Sequence, residues 1–88
     1  MARSHAINCF EAALCRDLAE GGDGTRYFGS LGNFEGHRQA AIRLGLLSRG
    51  GALTERGRRV GDACAALPEG RAYMHADEYM VAANAVAN

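Results

Sequence analysis

The stretch AIRLGLLSRGGALTERGRRV, residues 41–60, decides the fold. Apolar side chains at helical spacing run into Gly45, where a helix end wants a left-handed residue. Leu46 follows as the apolar residue that packs back. Residues 46–48 are predicted to form a short strand. Arg49, Gly50 and Gly51 supply turn chemistry, because glycine takes positive φ at low steric cost. Ala52 and Leu53 return as a second short strand. Thr54 is placed to cap a helix over about 55–67. Its inner face would hold Leu53, Val60, Cys64 and Leu67, with Gly57 and Gly61 admitting a close neighbour.

Working outward, Asn33 is a good N-cap for a helix reaching about Leu44, with Glu35 in the first turn where the dipole favours an acid. At about 100° per residue, Phe34, His37, Ala41 and Leu44 share an inward face. Glu35, Arg38, Gln39, Ile42 and Arg43 point outward or sideways. Upstream, Tyr27, Phe28 and Leu31 suit a short helix closed by Gly32. Ile7, Phe10, Leu14 and Leu18 mark a first helix over 5–20, capped by Ser4 and ended by Gly21 and Gly22, with Glu11, Arg16, Asp17 and Glu20 off the centre of its stripe. Pro68, Glu69 and Gly70 break the chain before a last helix over about 71–86. The expectation is one mainly α domain spanning 1–88, with four to five helices and a minimal β-hairpin.

The 88 residues are 48% hydrophobic and 23% charged, the balance of a folded domain. The net charge is zero, unlike a typical basic nucleic-acid-binding domain. Its distribution says more. Residues 38–59 hold six arginines against one acid, a net of +5; the remainder holds four arginines and nine acids, a net of −5. There is no lysine. Three loosely spaced cysteines (Cys9, Cys15, Cys64) with no C-x-x-C read as small buried hydrophobes of a reducing compartment. With no signal-peptide pattern and no long apolar run, a cytoplasmic protein is expected.

The order helix, short helix, helix, strand, tight turn, strand, helix, helix, with Leu44-Gly45-Leu46 followed by Leu53-Thr54 and Gly57-Arg58, resembles winged helix-turn-helix domains. MarR-like and PadR-like regulators often carry such a phrase. The resemblance covers about residues 25–62. Two departures are the very short wing and the zero net charge. The resemblance implies that the helix over 34–44 enters the major groove. Arg38 could then pair with guanine and Gln39 with adenine, while Arg43 and Arg49 hold phosphate.

Arg58 and Arg59 read either as a phosphate clamp or as helix-surface partners of Glu55 and Asp62. His37 reads as a packed or capping residue. His75 with Glu78, and His5 with Cys9, have two-ligand spacing, but no further ligands stand at a recognisable spacing and no metal or cofactor is expected. No catalytic or nucleotide-binding motif appears, so an enzyme is not expected. Tyr73, Met74, Tyr79, Met80 and Val81 mark the last helix either as a dimer or partner surface or as the lid of a small core.

Two functions follow. One is a small winged-helix transcriptional regulator binding double-stranded DNA as a dimer. The other is a protein-interaction module, for example a phage or mobile-element inhibitor of a nucleic-acid-handling host machine, such as an anti-CRISPR protein. There the acidic ends, with Asp17, Glu20, Asp23, Asp77 and Glu78, would face a basic partner groove.

Overall fold

The computed structural model describes residues 6–69 and 72–87, without the side chains of Leu31, Ala72 and Tyr73. Four α-helices run in order: α1 Cys9–Ala19, α2 Leu31–Arg43, α3 Glu55–Cys64 and α4 Ala76–Val86, the last preceded by a 3-10 turn at Ala72–His75. The mainly α expectation holds. The proposed Ser4 cap, the His5 half of the His5–Cys9 pair and Gly70 lie outside the described residues.

Helix α1 is the hub and packs against all three other helices. It starts at Asn8, whose side chain accepts from the Phe10 and Glu11 N–H groups while Glu11 returns to the Asn8 N–H, a capping box. Buried positions run almost continuously from Cys9 to Asp17. The small residues Ala12, Ala13 and Cys15 let neighbouring helices close in from several sides. Helix α3 exploits this: a Cβ on Gly61 would stand 2.5 Å from the Cys15 carbonyl oxygen, and one on Gly57 would run into the Leu46 carbonyl. Val60 and Cys64 complete the α3 core face.

The sequence and the structure part company before α2. No separate helix forms over 27–30, and Leu31 opens α2 instead. Asp17, predicted to lie off the buried stripe of α1, is 4% exposed, and its carboxylate accepts the N–H groups of Gly24 at 2.8 Å and Arg26 at 3.2 Å. Asp23 takes the N–H and hydroxyl of Thr25. These side-chain acceptors pin the loop at 24–26, and only the turn Thr25–Phe28 closes. The chain then reaches Ser30 extended, and Ser30, not Asn33, caps α2.

Helix α2 ends as read. Gly45 has φ +78°, its N–H bonds to Ile42 and that of Leu46 bonds to Ala41, a Schellman motif. The hairpin does not follow. Among the described residues there is no strand, only one antiparallel bridge between Leu47 and Leu53. Ser48 closes the turn through Gly51 and Ala52. The physical cause is Thr54: its hydroxyl donates to the Gly45 carbonyl and accepts from Gly57, which starts α3 at once and leaves no residues for a returning strand. The wing is one bridge long.

The first and last elements are clasped together. The Asn84 side chain accepts from the Ile7 N–H at 3.0 Å and donates to the Ile7 carbonyl at 2.9 Å. All three cysteines are free and buried.

Glycine replacement separates the two kinds of position. Gly57→Ala should cost more than about 2 kcal/mol in urea unfolding, because backbone must move. Gly36→Ala, where a Cβ meets nothing within 4 Å, should gain about 0.5–1 kcal/mol. The core also fixes a pH response. Burial, reinforced by neighbouring Cys64, pushes the Cys15 thiol from its ordinary 9.0 up to about 12, and burial pushes Cys64 to about 11. The unfolded chain therefore releases these protons first. Stability should be intact below pH 9 and fall as pH rises from there towards 12, measured by denaturant midpoints across that range.

Candidate functional site

The predicted arginine surface resolves into side chains with different neighbours. On one flank of α2, Glu35 binds both proposed base readers: Arg38 Nη1 at 3.4 Å and Gln39 Nε2 at 2.9 Å. The Arg38 guanidinium also lies over the turn, so close that a Cβ on Gly51 would stand 2.8 Å from it. Arg38 is thus a strap between α2 and the turn, and base contact would require both side chains to leave Glu35. Arg43, Arg49 and Arg58 are exposed and have no ion-pair partner among the described residues. Arg59 follows the surface-pair reading, meeting Glu55 at 3.4 Å and the Val86 carbonyl at 3.4 Å at the end of α4. Arg56, singled out for nothing in the sequence, donates to the Leu44 carbonyl at 2.8 Å and so helps terminate α2.

The other flank of α2 borders a groove of about 640 Å³. Ala6, Asn8 and Glu11 form one side, and Gly32, Asn33, Gly36, His37, Ala40, Arg43 and Leu44 form the other. In its floor Glu11, 3% exposed, meets Nδ1 of His37 at 2.6 Å. The His37 ring stacks on Phe10 at a centroid distance of 4.7 Å and approaches Phe28 at 5.8 Å. His37 does sit on the inward side of α2, as read. Its partner was not legible, because Glu11 belongs to another helix. The signal that could have found it is the capping box at Asn8, which fixes Glu11 at the start of α1.

The C-terminal surface divides as well. Tyr79 is 1% exposed and cannot serve an exterior interface. Its hydroxyl accepts from Arg16 Nη1 at 2.6 Å and donates to the Pro68 carbonyl at 2.9 Å. Arg16, itself buried, adds the Leu67 carbonyl at 2.8 Å and Glu20 at 3.3 Å. Burial raises the Tyr79 phenol above its ordinary value, with Arg16 opposing. Met80 is half-buried against the core, whereas Met74 and Val81 are exposed at 62% and 70%. The Tyr73 side chain lies outside the described residues. Of the acids assigned to a basic partner, Asp17 is spent inside the fold; Asp77 and Glu78 are exposed.

His75 Nδ1 meets Glu78 at 3.1 Å, but among the described residues no group of three or more His, Cys, Asp or Glu side chains could hold a metal ion. No described helix is long and apolar enough to cross a membrane. The chain matches no family model, no curated protein and no solved structure.

Tyr79→Phe tests the buried network. It strips one partner from Arg16 and leaves the Pro68 carbonyl unpaired, so thermal or urea unfolding should register a loss of about 1–3 kcal/mol.

Proposed function

We propose that this chain is a small protein that binds double-stranded DNA through the α2–turn–α3 segment, in the manner of a transcriptional regulator. The carrying observation is that Arg43, Arg49 and Arg58 are exposed and have no ion-pair partner among the described residues, within the segment of net charge +5. Guanidinium groups held this way suit phosphate oxygens and release counterions on contact. Arg38 and Gln39, both occupied by Glu35, make base reading the lesser part of the interaction. The affinity is accordingly electrostatic, with weak sequence preference. Met74 and Val81 are exposed apolar side chains through which two copies could pair on a duplex.

A second reading has its own observation. Exposed Asp77 and Glu78 lie between exposed Met74 and Val81 along the chain, an acidic-apolar mixture suited to a basic protein groove. This would make the chain an interaction module, such as an inhibitor from a phage or mobile element aimed at a nucleic-acid-handling machine.

Fluorescence anisotropy on a random duplex across a salt series separates them. DNA binding should weaken with salt. The triple variant Arg43→Gln, Arg49→Gln, Arg58→Gln should flatten the log–log slope by about three, one per lost phosphate contact. Absence of binding at low salt, or an unchanged slope in the triple variant, would leave the protein-directed reading standing.

A further inference from the structure

The Glu11–His37 groove has the parts of a ligand site, and the DNA reading uses none of them except Arg43. A carboxylate only accepts hydrogen bonds, so Nδ1 of His37 carries the proton that meets Glu11 Oε2. In the neutral ring that bond leaves Nε2 a lone pair, an acceptor; only a ring protonated on both nitrogens, paired with the buried Glu11 carboxylate, offers Nε2–H as a donor. Among the described residues Nε2 has no hydrogen-bond partner. Stacking on Phe10 holds the ring in place.

Glu11 itself is not available to a ligand. One carboxylate oxygen is taken by His37 and the other by the Asn8 N–H at 3.2 Å. With the imidazole charged, the pair is formally neutral, and Arg43 then sets the sign of the groove. Among the described residues, the ionisable groups lining it are Glu11 from α1 and His37 and Arg43 from α2; the loop before α2 contributes only the Phe28 ring against His37.

The helix is cut back on the side where a ligand would lie. A Cβ on Gly32 or Gly36 would meet no heavy atom within 4 Å, and Ala40 continues the same side one turn on. Arg43 lines the same groove just beyond Ala40. The volume of about 640 Å³ suits a metabolite-sized molecule.

We propose that, with the His37 ring protonated on both nitrogens against Glu11, this groove binds a small molecule through an oxyanion group, a carboxylate or a phosphate, held between Nε2–H of His37 and the guanidinium of Arg43. Charge-assisted hydrogen bonds from both donors match that chemistry. A cation is disfavoured by Arg43 and by the lack of a further ligand beside His37.

The experiment uses the full chain without DNA, so its failure is independent of the duplex reading. Amide and imidazole NMR signals are followed at about pH 5.5, below the ordinary imidazole value of ~6.5, during separate titrations with sodium phosphate and sodium benzoate, at constant ionic strength against sodium chloride, the imidazole nitrogen signals reporting whether both carry protons. Saturable shifts at Gly32, Gly36, His37 and Arg43 are expected with at least one salt. Saturation by phosphate alone or benzoate alone identifies the oxyanion, and saturation by both assigns the shared group. Arg43→Gln should weaken binding by about tenfold or more. Gly36→Leu should melt no lower than the parent while abolishing saturation, because it fills the groove without touching the Glu11–His37 pair. Shifts that stay linear with both salts, or saturation that survives Gly36→Leu, would overturn the proposal.

Discussion

Three charged side chains on one buried helix organise this molecule. Helix α1 cannot turn a polar face to water, because α2, α3 and α4 surround it. Glu11, Arg16 and Asp17 are therefore carried inside, at 3%, 3% and 4% exposure. An unpaired buried charge is costly, and each of these is matched by a different segment. Glu11 takes His37 of α2, Arg16 takes Tyr79 of α4 with the Leu67 carbonyl, and Asp17 takes the backbone of the loop before α2. Polar groups on one helix thus specify where three other pieces of chain must stand. Apolar contact alone, with so many alanines and cysteines, would be far less selective about register.

That organisation explains what could be read in advance and what could not. Local signals were legible. Gly45 as the left-handed end of α2, Leu46 packing behind it and Thr54 starting α3 each depend on residues within a few positions of one another. The errors arose where a distant partner overrode local preference. Asp17 looked like a surface residue because periodicity counts apolar side chains and knows nothing of the loop amides that will cover it. The short helix predicted ahead of α2 is replaced by a loop that Asp17, from α1, and Asp23 pin at 24–26, and Leu31 becomes the first residue of α2. The hairpin was over-read because Thr54 serves as both strand end and helix cap, and the cap prevails.

The candidate site follows the same division. Exposure of Arg43, Arg49 and Arg58 agreed with a simple surface reading of the sequence. The occupation of Arg38 and Gln39 by Glu35 was foreshadowed only for Arg38, by its three-residue spacing. Tyr79 was ambiguous because an aromatic on an apolar helix suits either a core or an interface; the buried Arg16 beneath it decides for the core. Helix α2 consequently has two unlike sides, one tied through Glu35 and Arg38 to the turn, the other open over Glu11 and His37. A molecule seated on the open side would touch the same helix that bears the exposed arginine at its end, so the two surfaces share one rigid body.

The clasp between Asn84 and Ile7 spans 77 positions. It closes a loop comprising nearly the whole described chain, and the entropy of that closure must be met before its two hydrogen bonds return anything. Most other contacts in a helical fold of this size are local and form quickly. Seating α4 against Ile7 is accordingly the longest-range closure among the hydrogen bonds of the described residues.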